Sequence, residues 1–244
     1  MRLRLKVSYH GAAFAGWQSQ PRGLTVQDAL EKAFDAVGVS GASVQGAGRT
    51  DAGVHALAQC AHVDVPDGRF SEEIWLRAVN AHLPPGVRVM AVRTTAKDFH
   101  ARFDARGKVY RYAIWNASPV PPLESDRAWH VPWPLDRGVL RAACALFVGR
   151  HDFAAFSARR GGVPCATERT ISAVRCVFRG PALTITFEGE GFLYKMVRML
   201  VAAAVRCAVG KLTLAEIASR LAVGKPRLSY VAPAQGLCLM RVRY

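Results

Sequence analysis

The stretch GAGRTDAGVHALAQCAHVDVP, residues 46–66, decides the fold class, because it places a glycine-rich loop directly before a strand. Apolar Ala61, Val63 and Val65 alternate with polar residues, which is the pattern of a half-buried strand. A dinucleotide-binding loop needs G-x-G-x-x-G at the start of a helix, and a P-loop ends in Gly-Lys-Ser/Thr. The stretch meets neither requirement, so this loop is not expected to open a nucleotide-binding α/β fold.

Strands and helices alternate on both sides of this loop. Upstream, MRLRLKVSYH is typical of a strand, and GLTVQDALEKAFDAVG predicts a helix capped by Thr25. Downstream come a helix capped by Ser71, a strand KVYRYAIWN, a hairpin with a Gly-Pro turn, a long helix FLYKMVRMLVAAAVRCAVG and a closing strand GLCLMRVRY. This order predicts an α+β protein with two sheet-plus-helix halves, residues 1–105 and 106–244, and a catalytic cleft between them.

The net charge of +15 is the strongest compositional signal. Each phosphate that Lys or Arg neutralises releases condensed counterions, so a basic protein favours a polyanionic partner and above all a nucleic acid. Adaptation for solubility is the alternative explanation of the charge. Because the basic residues are spread along the whole chain, they predict a folded basic surface and not a disordered arm.

Metal and membrane binding are not indicated by the sequence. The six cysteines form no C-x-x-C pair, and the seven histidines show no ligand spacing, so buried reduced thiols are expected. The longest apolar run, MVRMLVAAAVRCAV, is interrupted by Arg198 and Arg206 and is too short to cross a bilayer. The basic first strand lacks the apolar core of a signal peptide, and a cytoplasmic protein is expected.

The glycine-rich loop contains a single carboxylate, Asp51, with Arg49 two residues before it. A hard cation takes several oxygen ligands, so one carboxylate does not predict a metal site. A plain turn remains the simplest alternative. A nearby arginine would keep Asp51 ionised, and an oriented carboxylate can act as a nucleophile or a base. The other candidate acids, Glu188 and Glu190, are typical of strand ends, so a mechanism with one carboxylate is favoured.

The motif GRTDAGVHALAQ resembles the catalytic motif of the tRNA pseudouridine synthases of the TruA type. Further blocks occur in the same order as in that family: YHGAAFAGWQSQ, FHARFDARGKVYRYAIWN, HDFAAF, GFLYKMVRMLV and the terminal GLCLMRVRY. They extend over nearly the whole chain. Two departures are an alanine at Ala202, where the family often has glycine, and the segment GGVPCATERT, which differs from the usual run after HDFAAF.

This resemblance implies an enzyme that isomerises uridine to pseudouridine at positions 38 to 40 of the tRNA anticodon stem-loop, without cofactor or metal. It also implies two similar RRM-like halves, with mostly antiparallel sheets and helices on one side, and a homodimer that binds tRNA.

The resemblance further assigns roles to individual residues. It makes Asp51 the catalytic aspartate, Tyr110 the residue that stacks on the flipped base, and Arg198 the cation that pairs with the aspartate. Arg49 would hold the target nucleotide out of the helix. Lys195 and His55, which neighbour these residues in the sequence, are added as candidate substrate-binding residues.

Two other functions remain compatible with the residues alone. A non-catalytic RNA-binding protein, such as a tRNA chaperone, would use the same basic surface. A glycoside or phosphate-ester hydrolase would use an aspartate nucleophile, but the sequence supplies neither an evident second acid nor a ligand set for a metal.

Overall fold

The computed structural model describes residues 1–21, 24–158 and 166–244. The chain forms two compact units, one made of Met1–Arg106 with Cys238–Tyr244 and the other of Gly107–Leu237. The predicted halves were two contiguous segments, whereas the closing strand returns to the first unit. The reason is that the closing strand pairs with the strand that begins at His55, far away in sequence, and no local pattern indicates that pairing.

As far as the structure describes it, the first unit is a sheet with two α-helices. Its strands are β1 Arg2–Tyr9, β2 Gln45–Gly46, β3 His55–Asp64, β4 Val87–Thr95 and β10 Leu237–Arg243, whose residues from Cys238 onward belong to this unit. Its helices are α1 Val26–Ala36 and α2 Glu72–Ala81. The strand order is β4–β1–β3–β10, with β2 beside β3. The strands pair antiparallel except β10, which runs parallel to β3.

Local sequence explains this unit well. In β1 the side chains of Leu3, Leu5 and Val7 are buried, and the residues between them are exposed, as the alternation predicts. Helix α1 begins after Thr25, whose side chain accepts the backbone N–H of Asp28 at 3.1 Å. Ser71 caps α2 in the same way, so both predicted caps are confirmed.

In its described residues, the second unit is a sheet with three α-helices. Its strands are β5 Gly107–Trp115, β6 Trp129–His130, β7 Gly149–Asp152, β8 Glu168–Arg179 and β9 Ala182–Gly189. Its helices are α3 Arg137–Ala145, α4 Met196–Ala208 and α5 Leu214–Val223. The strand order is β5–β9–β8–β7, all antiparallel, and the short β6 runs parallel to β5. The predicted hairpin is confirmed: Arg179 pairs with Ala182 across a turn at Gly180.

Helix α4 carries one of the predicted site residues, Arg198. Nearly all of its side chains are buried, as the apolar run predicts. The helix begins at Met196, four residues later than the sequence pattern suggests, because Lys195 has a left-handed backbone with φ of 59°. Lys195 therefore precedes the helix as its N-cap residue, whereas Arg198 lies in the first turn.

The α+β class, with mostly antiparallel strands, is confirmed by these two units. Within the described ranges, no helix is long and apolar enough to cross a membrane.

Candidate active site

Asp51 lies between β2 and β3 as the first residue of a tight turn. The Val54 N–H donates to the Asp51 carbonyl oxygen at 3.1 Å, and Gly53, the third residue of the turn, has a φ of 79°. A positive φ at this position is what a type II turn requires, and glycine adopts it without steric cost. The turn leaves the Asp51 side chain half-buried, with the exposed Ala52 next to it.

The end of β1 and the segment that follows it hold the loop on both sides of Asp51. The Trp17 N–H donates to the Thr50 carbonyl at 3.1 Å, and the hydroxyls of Thr50 and Tyr9 share a hydrogen bond of 2.8 Å. On the far side of the turn, the Gly11 N–H donates to Nδ1 of His55 at 3.0 Å. Since the residues on either side are bonded to one segment, the position of Asp51 is fixed by tertiary structure and not by the turn alone.

Glycines make this close approach possible. A Cβ on Gly16 would lie 2.7 Å from the Thr50 carbonyl oxygen, and one on Gly46 would lie 2.5 Å from the ring of Trp17. At Gly46 the buried Trp17 ring occupies the space that a side chain would need, so this glycine serves packing within the protein.

Arg49 is exposed, and its Nε donates to Oε1 of Gln18 at 3.0 Å. The sequence suggested that Arg49 keeps Asp51 ionised as its near neighbour. Its hydrogen bond is instead with the Gln18 amide, which lies in the segment that grips the loop. Arg49 is therefore held by a tertiary hydrogen bond, two residues before Asp51 in the loop.

His55, a candidate substrate-binding residue, is buried at the start of β3. Its Nδ1 accepts the Gly11 N–H, so this nitrogen carries no proton, and its ring lies 4.6 Å from that of His10 between centroids. This geometry gives His55 a role in holding the loop. Its contact with substrate stays a prediction.

Tyr110 lies in β5 of the second unit and is buried, at 8% exposure. The rings of Tyr110 and Phe192 pack edge to face, and their centroids are 5.2 Å apart. The neighbouring Tyr112 is fully buried and donates its hydroxyl to the Pro233 carbonyl at 2.7 Å. Burial raises the pKa of the Tyr112 phenol well above its ordinary value.

Arg198 lies in the first turn of α4 and is half-buried. Its Nε donates to the Ala232 carbonyl at 2.7 Å, and the Ala232 N–H donates to the Arg198 carbonyl at 3.2 Å. The two other candidate acids, Glu188 and Glu190, also lie in the second unit and each has a bonding partner there. Glu188 forms an ion pair with Arg175, and the Glu190 carboxylate accepts the Thr170 N–H at 3.0 Å.

The two units thus divide the predicted site residues. Asp51, Arg49 and His55 lie together in the first unit. Tyr110, Lys195 and Arg198 belong to the second. Across the described residues, no group of three His, Cys, Asp or Glu side chains is placed to hold a metal ion.

Sequence reasoning missed the residues that hold the loop. Tyr9 and Gln18 contact it through hydrogen bonds to Thr50 and Arg49. Both lie in the block YHGAAFAGWQSQ. Polar residues in a segment otherwise built of glycine, alanine and aromatic residues were the available signal.

Comparisons with known proteins agree with the sequence motifs. A model of the tRNA pseudouridine synthase family matches residues 6–104 and 143–244. The chain belongs to the tRNA pseudouridine synthase family. It is 44% identical over 253 residues to tRNA pseudouridine synthase A of Akkermansia muciniphila, an alignment that covers 100% of this chain and 95% of that protein. It is 46% identical over 250 residues to the tRNA pseudouridine synthase A of Solidesulfovibrio magneticus, with 100% and 91% covered.

Among solved structures, the chain is similar to one chain of the "Crystal Structure of a Cbf5-Nop10-Gar1 Complex". The TM-score is 0.40 at 12% identity, over 97% of this chain and 48% of that one. Membership in the family therefore rests on the sequence matches.

Proposed function

We propose that this protein isomerises uridine to pseudouridine in tRNA, at positions 38 to 40 of the anticodon stem-loop, with Asp51 as the catalytic aspartate. The observation that carries the proposal is the family match, which includes the whole loop around Asp51. The relatives that are named tRNA pseudouridine synthase A align over the full length of the chain. The net charge of +15 suits a tRNA substrate.

The reaction exchanges one bond to the ribose for another. The bond between uracil N1 and ribose C1′ breaks, the base turns, and a bond between C5 and C1′ forms. C5 loses a proton and N1 gains one, so the product is an isomer of the substrate. A route through a covalent adduct at C1′ and a route through a glycal intermediate both need an ionised carboxylate. Asp51 is proposed to supply it. The bonds that fix its neighbours Thr50 and Val54 favour a carboxylate that is aimed before substrate binds.

Tyr110 and Arg198 are proposed as the base-stacking residue and the catalytic cation. A base in a stem must be flipped out before its glycosidic bond can be reached, and an aromatic ring supplies a surface for it to stack on. The edge contact of Phe192 supports the ring of Tyr110 in one orientation. Arg198 lies in the first turn of α4, where a cation opposes the helix dipole, so its position is not explained by helix stability.

Arg49 is proposed to hold the target nucleotide outside the stem, because it is exposed, lies two residues from Asp51 in the loop, and is held by its hydrogen bond to Gln18. Lys195 and His55 stay predicted substrate-binding residues. For Lys195, the left-handed backbone is the supporting observation, since strained conformations of this kind are concentrated at functional sites.

The decisive experiment incubates the protein with an unmodified tRNA transcript and maps pseudouridine at single-nucleotide resolution. We expect product in the anticodon arm from the wild-type chain. Asp51→Asn should bind tRNA with a similar Kd and form no product. Asp35→Asn is the matched control, because Asp35 is an exposed residue near the end of α1 and should keep full turnover.

Full turnover by Asp51→Asn would overturn its assignment as catalyst. A folded wild-type protein that binds tRNA with a steep salt dependence and forms no pseudouridine would identify a non-catalytic RNA-binding protein instead. Release of free base or phosphate would indicate a hydrolase.

Two further expectations depend on the family resemblance, namely a homodimeric assembly and a cytoplasmic location. Sedimentation of the chain with and without tRNA tests the first, and a mass of one protomer would contradict it. Fractionation of the source cells tests the second.

A further inference from the structure

A chain of hydrogen bonds runs from Arg49 into helix α1. Arg49 Nε donates to Gln18 Oε1 at 3.0 Å, and Gln18 Nε2 donates to Gln27 Oε1 at 2.8 Å. Gln27 Nε2 then donates to Glu31 Oε1 at 2.9 Å, and the same carboxylate oxygen accepts the Val44 N–H at 3.0 Å. We call Arg49, Gln18, Gln27 and Glu31 the amide relay. All of its members lie in the first unit.

The direction of the amide relay is fixed by its two ends. A guanidinium has only donors, so Gln18 must turn its carbonyl oxygen toward Arg49 and its amino group toward Gln27. A carboxylate has only acceptors, so Gln27 must turn its amino group toward Glu31. The Gln27 oxygen also accepts the Ser19 N–H at 3.0 Å. Reversing either amide would place like groups against each other at two junctions, so a single arrangement is favoured.

Burial makes the relay costly to break. Gln27 is 7% exposed and lies on the buried face of α1, among Val26, Ala29 and Leu30. A buried amide is tolerated only when its polar atoms are bonded, and here both the oxygen and the nitrogen of Gln27 have partners. An apolar residue would serve simple packing at this position. The relay therefore links a rigid, buried point to an exposed guanidinium.

The outer end of the relay is open to a ligand. Of the three nitrogens of the Arg49 guanidinium, Nε has a hydrogen-bond partner, and the two terminal nitrogens have none among the described residues. Those nitrogens can contact a phosphate through two parallel bonds. An exposed arginine normally loses much side-chain freedom on binding, and a bond at Nε lowers that loss beforehand.

We propose that Gln18 and Gln27 are positioning residues that hold Arg49 ready for the phosphate or ribose of the target nucleotide. This assignment rests on the proposed function. It explains why the bond uses Nε, which leaves the terminal nitrogens for RNA. Glu31 completes the assignment, because it ties the relay both to α1 and to Val44 at the entry of the loop.

The test compares Gln18→Leu with Gln20→Leu. Gln20 lies two residues further along the same segment and donates to the Ala15 carbonyl at 2.9 Å, outside the relay. Gln18→Leu should lower the single-turnover rate of pseudouridine formation about tenfold and change the Kd for tRNA less than about threefold. Gln20→Leu should match the wild type in both measurements.

A double mutant decides whether Gln18 acts through Arg49. If it does, adding Gln18→Leu to Arg49→Leu should change the rate less than about twofold, because the two residues then act as one unit. Independent, multiplicative losses would overturn the proposal.

A stem-loop carrying 2-aminopurine beside the target uridine gives a second signature. Its fluorescence rise on binding should shrink in both Gln18→Leu and Arg49→Leu, and a full rise in Gln18→Leu would also overturn the proposal.

An NMR measurement separates this inference from the proposed function. The Arg49 Nε–H signal should exchange with solvent about tenfold faster in Gln18→Leu than in the wild type, because only an open hydrogen bond exchanges. Unchanged exchange would refute the relay whatever the activity. A wild-type chain that forms no pseudouridine would refute the proposed function, and with it the link of Gln18 to that reaction.

Discussion

Replacing Gly16 by alanine should disable the enzyme through one methyl group. Gly16 has a φ of 105°, which a residue with a Cβ rarely adopts. A Cβ at this position would lie 2.7 Å from the Thr50 carbonyl oxygen and 3.2 Å from the Asp51 carbonyl carbon and the Ala52 nitrogen. The obstacle is backbone of the loop that carries the proposed catalyst, so it cannot turn aside as a flexible side chain would.

The size of the effect follows from these distances. Ordinary van der Waals contact begins at 3.4 Å, so the loop must retreat by 3.4 − 2.7 Å, or about 0.7 Å. Positive φ costs about 1 kcal/mol and overpacking about 2 kcal/mol more. The melting temperature should fall by about 6–12 °C for a chain of this length. A displacement of this order at a catalytic carboxylate should lower the single-turnover rate about 10- to 100-fold.

Gly41→Ala is the matched control. Gly41 also has a positive φ, of 70°, but a Cβ there would meet no atom within 4 Å. The Gly41→Ala variant should lose about 1 kcal/mol of unfolding free energy and keep its turnover. Both variants are compared by thermal denaturation and by single-turnover pseudouridine formation at a temperature where both are folded. Equal turnover in the two variants would refute the claim that contact with Gly16 positions Asp51.

Three further predictions concern other residues. Lys195→Gly should raise the unfolding free energy by about 0.5–1 kcal/mol in denaturant titrations, because glycine accepts the left-handed backbone; if Lys195 also binds RNA, the Kd for tRNA rises. Burial, with help from nearby cations, lowers the pKa of His62 from 6.5 to about 4, so the unfolded chain binds a proton that the folded chain does not. Stability should therefore fall as the pH drops from 6.5 toward 4, and a urea titration series should show a smaller fall for His62→Gln. Tyr112→Phe should lose about 1 kcal/mol of unfolding free energy, because it loses the hydrogen bond to the Pro233 carbonyl, and it should keep its activity. Tyr110→Ala should lose turnover. Equal turnover in these two variants would contradict the stacking role of Tyr110.

Local patterns predicted those parts of the fold that depend on local forces. The caps at Thr25 and Ser71 and the turn at Gly180 follow from hydrogen bonds and backbone preferences within a few residues. The place of the closing strand does not. Its residue Cys238 pairs with His55, and nothing in either sequence segment indicates that partner.

The start of α4 shows the same limit at smaller scale. The apolar pattern continues back to Phe192, so the periodicity predicts a helix from there. The structure bonds the Tyr194 carbonyl to the Ala158 N–H at 3.0 Å, outside any helix, and turns the backbone at Lys195. Tertiary contacts therefore override the local preference beside Arg198.

In the candidate site, too, the sequence predicted what is local and missed the contacts between distant segments. The motif located Asp51 and Arg49, because a family motif is a local string of residues. The hydrogen-bond partner of Arg49 lies 31 positions away in sequence, and Gly16, which packs against the loop backbone, lies in that same distant segment. Gly16 accommodates the Thr50 backbone, and Gly46 accommodates the ring of Trp17. A glycine-rich loop beside a lone carboxylate suggests room for a ligand, yet Gly46 of this loop serves a contact within the protein. We therefore expect the loop to be rigid before RNA binds, so that the strength of RNA binding and the aim of the carboxylate can be changed by separate substitutions.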